Sequence, residues 1–341
     1  MSTVEQLKKQ LVEQGFLALT REYEAGIPET LEFALDDGLK VQLLDTGVIV
    51  FEPSSPANTD LVISSGVHGN ETAPIEIVDD LVRRILMQEL SVHNRVLCII
   101  GNPVAMNMSQ RFDIENMNRL FNGKHQGKEH HEALRAKRLE DYVKDFFGKR
   151  EDATRCHYDL HTAIRGSKYA RFSIYPYPDG RDWNKEQLSF MLASDINTIL
   201  LGHQPSGTFS YFSSHQFEAH AFTVELGKVK PFGENTMSDF AAITANLSTL
   251  IEGKTVNVKA FDNEDFNLFE VKDELLKKSE SFALNISDDL ENFSSFDAGF
   301  QLSEDSDGGY RVEEDGEAIV FPNAKVPVGQ RAGLVVRKTR I

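Results

Sequence analysis

The run SSGVHGNE sets His68 and Glu71 three residues apart. At that spacing an imidazole nitrogen and a carboxylate oxygen can reach one cation. The spacing alone carries little, since His215 and Glu218 repeat it within SHQFEAH. Company gives it weight. CHYDLH ends a strand-like run on His161, and AFTVELG carries Glu225 near the end of another. In open α/β sheets the carboxyl ends of the strands line one crevice, where these four side chains could meet. Two histidines and one glutamate form a known zinc set that keeps a fourth position for water. Zinc lowers that water's pKa to about 7 and polarises a carbonyl. Glu225 is then available to accept the water's proton and hand it to a leaving amine, help worth roughly 10²–10⁴-fold.

Other side chains compete with this set. His157 lies on the same strand as His161. Four residues apart, the two point the same way but stand about 13 Å from each other at roughly 3.3 Å per residue, too far to share an ion. Asp159 could orient a ligand or simply close a hydrogen-bonded strand end. His130 and His131, with Glu129 and Glu132, have a metal-like composition. They open a charged helix, however, where a solvated face is the better reading. The plain alternative for the first set is a polar loop histidine, a surface glutamate and a satisfied core histidine. Polar and cationic residues flank the expected crevice: Arg111, Asn118 and Arg119 within GNPVAMNMSQRFDIENMNRLF, then Arg165, Lys168 and Arg171 within DLHTAIRGSKYAR. Arginine offers a planar fork that holds a carboxylate through two bonds, which points to an anionic substrate. Ordinary pairing with Asp113, Glu115 and Asp159 is the competing explanation.

These residues need elements to place them. LVISSG reads as a buried strand ending just before His68. Gly66 and Gly69 permit a sharp bend there, because glycine tolerates positive φ. The stripe Ile75, Val78, Leu81, Val82, Ile85 and Leu86 then marks a helix with Pro74 near its start. RVLCIIGNP is the next strand, and GKEHHEALRAKRLEDYVKDFFGK a charged helix. CHYDLH, ARFSIYPY and EAHAFTVELG read as strands, and DFAAITANLSTLIEG as a closing helix. Strands alternating with helices predict a mostly parallel sheet wrapped by helices. Ahead of this unit lie a helix over MSTVEQLKKQLVEQG and strands in ETLEFAL and LKVQLLDTGVIVFE, whose attachment is open. From about Thr255 the texture changes to short strands, TVNVKAF, SFALNI, EAIVFP and AGLVVRKTRI, as in a small all-β domain. The acidic stretch EDSDGGYRVEEDGE lacks the full EF-hand spacing and reads as a solvated loop.

The chain has 341 residues, 40% of them hydrophobic, enough for a buried core and about two domains. Lys and Arg total 36 against 53 Asp and Glu, a net charge of −17. That balance argues against a general nucleic-acid binder and against a polybasic membrane-surface protein. Two cysteines, Cys98 and Cys156, cannot form a disulfide scaffold, and Cys98 inside RVLCII reads as a buried small hydrophobe. No continuous apolar signal region opens the chain, and no apolar run of about 18 residues is present to span a bilayer. A cytoplasmic protein is expected.

Taken together and in order, SGVHGNETAP, NMNRLF, DLHTAIRGSK and VELGKVKPFGEN resemble the succinylglutamate desuccinylase family, in the aspartoacylase branch of the zinc carboxypeptidase clan. The TAIRGSK and ELGKVKPFGEN runs favour the desuccinylase side of that branch. The resemblance implies a zinc-carboxypeptidase-like α/β fold, a mixed sheet flanked by helices, with a smaller C-terminal all-β domain. The change of texture near Thr255 divides the chain into a catalytic unit over 1–254 and a β-rich unit over 255–341, which fits the family's layout. The resemblance implies one zinc ion on His68, Glu71 and His161, Glu225 as the catalytic glutamate, and Arg111, Asn118 and Arg119 on the substrate's carboxylates. Arg165 and Lys168 join that group only because they follow His161. The implied partner is a small anion, N-succinyl-L-glutamate, hydrolysed to succinate and L-glutamate in arginine catabolism by the succinyltransferase route. Neither nucleic acid nor membrane is implied. Alternatives are an N-acyl-aspartate amidohydrolase, a carboxypeptidase, and a metal-binding protein without catalysis. Two positions depart from the family pattern. Asn116 replaces an aspartate whose charge could brace Arg119, and His215 stands where aspartoacylases carry an arginine.

Overall fold

Alternate residues of a strand point to opposite faces, and in LVISS and RVLCII most positions on both faces are apolar. Such strands need cover on two sides. The computed structural model describes residues 3–341 and shows that cover. Helices α1 (Thr3–Gln14) and α2 (Phe16–Glu22) precede β1 (Leu31–Ala34), β2 (Lys40–Asp45) and β3 (Val48–Glu52). The alternating unit runs through β4 (Thr59–Ser65), α3 (Thr72–Leu86), β5 (Arg95–Ile100), α4 (Pro103–Asn107), α5 (His131–Gly148), β6 (Thr154–Ala163) and β7 (Phe172–Tyr175). It continues through α6 (Lys185–Ala193), β8 (Thr198–Leu201), α7 (Phe209–Phe217), β9 (His220–Lys228) and α8 (Ala241–Ile251). The C-terminal part holds β10 (Asn267–Leu276), β11 (Ala283–Leu284), β12 (Ser294–Phe296), β13 (Ser303–Glu304), β14 (Glu317–Val320) and β15 (Arg331–Lys338).

Leu61, Ile63, Val96, Cys98 and Ile100 pack with Val78 and Leu81 of α3 and Leu247 of α8. Their neighbours Val62, Leu97 and Ile99 face the other way, onto Leu139, Val143 and Phe147 of α5. Each such buried aliphatic side chain contributes about 1.5–3 kcal/mol. Cys98 and Cys156 are free and buried, and burial pushes both thiols up to about 12. Among the described residues no helix is long and apolar enough to cross a membrane.

The strand order places the site. Among the described residues thirteen strands form one sheet, β1-β2-β3-β5-β4-β6-β9-β7-β8-β10-β15-β14-β12. β4 pairs in parallel with β5 on one side and β6 on the other. The chain therefore leaves β4 for β5 through α3, then returns across β4 to β6 through α5. This reversal opens a crevice beyond the carboxyl end of β4, where α/β sheets bind ligands.

The sheet is mixed, as the family resemblance implies, since β7 runs antiparallel to β9. The N-terminal strands, whose attachment the sequence leaves open, extend its edge through the antiparallel pair β3–β5. The C-terminal reading needs correction: TVNVKAF forms no strand. The segment that joins the sheet is NLFEVKDELL, as β10, parallel to β8 and antiparallel to β15. Its charged residues hide the strand pattern, and the open edge of β8 overrides local propensity. SFALNI contributes only the two-residue β11, paired with β13.

Candidate active site

The loop after β4 carries His68 and must turn at once. Gly66 does so at φ 62°. Gly69 is needed for a different reason than the expected positive φ. A Cβ there would stand 2.1 Å from the Met106 nitrogen of α4. The Gly69 N–H donates to the Arg111 carbonyl at 3.1 Å, tying the two loops together. Glu71 occupies the N-cap position of α3, at the positive end of that helix. On β6, His161 lies opposite Glu225 of β9 in the parallel ladder.

The structure brings His68, Glu71 and His161 together, with one ligating atom from each lying within 4.8 Å of the others. Among the described residues no other group of three or more histidine, cysteine or acidic side chains does so. His68 Nδ1 and His161 Nδ1 each stand 2.8 Å from a different oxygen of Glu71, and 3.2 Å from one another. The outer nitrogens are also engaged. His68 Nε2 meets the Asn116 carbonyl oxygen at 2.9 Å, and His161 Nε2 meets Asp159 at 2.9 Å. Those oxygens only accept, so each Nε2 donates a proton to them; the Glu71 oxygens also only accept, so each inward-turned Nδ1 must share either a proton or a cation with Glu71. All three side chains are buried.

The electrostatics suit a cation at that point. Burial opposes charge on Glu71, yet the His68 and His161 rings hold its carboxyl well below the usual range. Burial also opposes charge on His161, yet Asp159 and Glu71 raise it well above an ordinary imidazole. Burial and the Arg111 charge lower His68 to about 4, leaving the neutral ring that a metal ligand requires. Two imidazoles and one carboxylate, oriented by outer hydrogen bonds, fit a divalent ion of the zinc type.

Glu225 is buried, and its Oε2 has no hydrogen-bond partner among the described residues. Burial and the Glu71 charge raise its carboxyl to about 7. An unsatisfied buried oxygen at the mouth of a crevice is suited to a ligand proton.

The expected substrate residues divide. Arg111 donates to Glu71 at 2.6 Å and remains partly open to solvent. Asn118 is buried and accepts from the Phe209 N–H at the start of α7, at 3.0 Å. Arg119 is exposed and donates to the Asn118 carbonyl at 2.7 Å. Arg165 donates to the Asp288 carbonyl of the C-terminal part. Lys168 is exposed, and its backbone N–H donates to Asn292 at 3.1 Å. Neither Arg165 nor Lys168 bonds to the His68, Glu71 and His161 cluster.

Two readings need correction. Glu132 does not sit on a solvated face. It is fully buried and accepts from the Asp113, Ile114 and Glu115 amides at 2.9, 2.9 and 2.6 Å, and from Asn102 Nδ2 at 3.0 Å. Helical periodicity cannot show that a distant loop folds onto a helix start. Asn116 does not merely lose a brace for Arg119; it holds His68 and also accepts from the Asn118 amide at 3.0 Å. His215 pairs with Asp179 at 2.9 Å, away from the cluster. Arg331 of β15 lies outside every motif of the sequence. It pairs with Glu274 at 3.0 Å, and its charge acts on Arg119 together with that of Arg111. No motif near the site announces it, because it arrives from the far end of the chain.

Comparison with known proteins identifies the family of the chain. Residues 57–251 match the succinylglutamate desuccinylase/aspartoacylase catalytic domain, and residues 264–339 the AstE/AspA barrel-sandwich hybrid domain. The chain is similar to a succinylglutamate desuccinylase of Shewanella piezotolerans, 46% identical over 95% of both chains. Among solved structures it resembles the succinylglutamate desuccinylase of Vibrio cholerae, with a TM-score of 0.89 and 32% identity over 97% of this chain and 96% of that one. It also resembles that of Chromobacterium violaceum, with a TM-score of 0.85 and 38% identity over 96% and 98%. The chain belongs to the succinylglutamate desuccinylase/aspartoacylase family and is a hydrolase that acts on an amide.

Proposed function

We propose that this hydrolase cleaves N-succinyl-L-glutamate to succinate and L-glutamate, as a cytoplasmic step of arginine catabolism by the succinyltransferase route. The names and near full-length similarity of its relatives support the substrate. The observation that carries the chemistry is a buried carboxyl, Glu225, with a free oxygen beside a converging set of two histidines and a glutamate. His68, Glu71 and His161 would hold one zinc ion. When bound, such an ion supplies Lewis acidity toward a carbonyl and a more acidic water.

The remaining work falls to the chain's own residues. Glu225 takes the proton of the attacking water at Oε2 and returns it to the departing glutamate nitrogen. A carboxyl near pH 7 is matched to both transfers. Arg111 and Arg119 bind substrate carboxylates, and Asn118 holds Arg119 through its carbonyl. The substrate carries three carboxylates, so several cations in one crevice are required. Arg165 and Lys168 belong to the outer edge of this binding region. Residues 1–254 form the catalytic unit and residues 255–341 the β-rich unit.

Release of free glutamate from N-succinylglutamate, before and after metal removal by a chelator, tests the reading. Activity lost on chelation and restored by zinc supports it. A higher kcat/KM on N-acetylaspartate would move the substrate to the aspartoacylase side.

A further inference from the structure

Behind the ligand His161 a line of buried polar side chains runs into the core. Asp159 accepts from His161 at one oxygen and from the Ser64 hydroxyl at the other, at 2.9 and 2.6 Å. Ser64 Oγ lies 2.8 Å from His157 Nε2, and His157 Nδ1 lies 2.7 Å from Ser213 Oγ. Every member is buried. The line joins three elements: β4 through Ser64, β6 through His157, Asp159 and His161, and α7 through Ser213.

The carboxylate sets the direction of the whole line. Asp159 only accepts, so Ser64 must spend its single proton on it. Ser64 can then only accept from His157, which puts the His157 proton on Nε2. His157 Nδ1 is left as an acceptor for the Ser213 hydroxyl. Each hydrogen bond thus points toward Asp159, and every proton in the line has one assigned place. Asp159 could rotate about its own side-chain bonds if His161 alone held it. Anchored from behind by Ser64, it is fixed in the orientation that keeps His161 Nε2–H engaged and Nδ1 turned inward.

We propose that Ser64, His157 and Ser213 are positioning residues for the metal ligand His161, acting through Asp159. They touch neither substrate nor ion. This rests on the metal reading above. Outer hydrogen-bond partners of metal ligands typically control affinity by about 10–100-fold. Ser64, one bond further out, belongs at the lower end of that range.

The test strips the purified full-length protein of metal and titrates zinc against a chromophoric chelator. Ser64→Ala should raise the zinc Kd by about 10-fold, and Ser213→Ala by about threefold. Ser65→Ala is the control. Its hydroxyl is equally buried on the same strand but donates to the Ile99 carbonyl at 3.2 Å, outside the line. Its Kd should stay within about twofold of the parent protein, on the general size of single hydrogen-bond effects. A Ser64→Ala protein that binds zinc like the parent overturns the proposal, as does a Ser65→Ala protein weakened equally. Should Ser64→Ala fail to fold, Ser213→Ala decides alone, and an unchanged Kd there overturns it. A parent protein that binds no zinc overturns both this inference and the metal reading. A parent that binds zinc with all variants alike removes only the positioning role.

Discussion

Replacing Glu225 with glutamine keeps the side chain's size and burial but removes its capacity to take up a proton. Glu225→Gln should retain the metal and lose turnover by about 10² or more, read from glutamate release alongside metal analysis. His157 offers a second measurement, on stability. Burial lowers it to about 4, below the ordinary value of 6.5 that it regains on unfolding. Between those values the unfolded chain binds the extra proton, so stability rises with pH. The contribution is complete above pH 6.5 and is lost as pH falls toward 4. Between pH 7.5 and 5 the loss is about 2 kcal/mol. Urea denaturation at the two pH values should show it, and a His157→Gln protein should show a smaller difference between them.

The helix α5 does more than cover the sheet. Glu132 in its first turn gathers three successive loop amides, and that loop connects Arg111 to Asn116. One carboxylate therefore holds both the cation beside Glu71 and the amide behind His68. Glu132→Gln replaces an accepting oxygen by a donating NH₂ that faces an amide. Hydrogen bonds to a buried charged group are worth about 1.5–3 kcal/mol, and a loss of that order is expected in denaturant unfolding. KM should rise more than kcat falls, because Arg111 loses its support before Glu225 is disturbed. His130 reinforces the same junction, capping α5 through the Ala133 amide and pairing with Glu115 at 3.2 Å.

The C-terminal strands are continuous with the catalytic sheet. β10 closes the edge of β8, and Phe172 and Leu200 are buried against Phe269, Phe293, Leu334 and Val336. Removal of residues 255–341 would leave an unpaired strand edge beside exposed apolar side chains, a combination that promotes association. The truncated chain should sediment as aggregate under conditions where the full chain remains dispersed. The same continuity carries Arg331 toward Arg119, with Glu274 paired to both Arg331 and His203. A charge from the C-terminal strands thus acts on a cation of the catalytic unit.

The convergence of His68, Glu71 and His161 is partly legible in the sequence: local chemistry places them, with Glu225, at strand ends, and only the family resemblance singles them out over the plain alternatives. Apolar alternation locates a strand, glycine marks where it can turn, and strands of a parallel sheet end on one side. The same strand spacing separated His157 from the ion set. Contacts between distant segments were not legible. Ser64 and His157 stand 93 positions apart, yet share a hydrogen bond. Glu132 looked solvated and is buried, Asn116 looked like a lost brace and holds His68, and charged β10 looked unlike a strand. In each case a partner supplied by folding, a loop amide, an imidazole or an open sheet edge, outweighed the residue's own preference. Periodicity reports which face a side chain occupies; only packing decides what waits there.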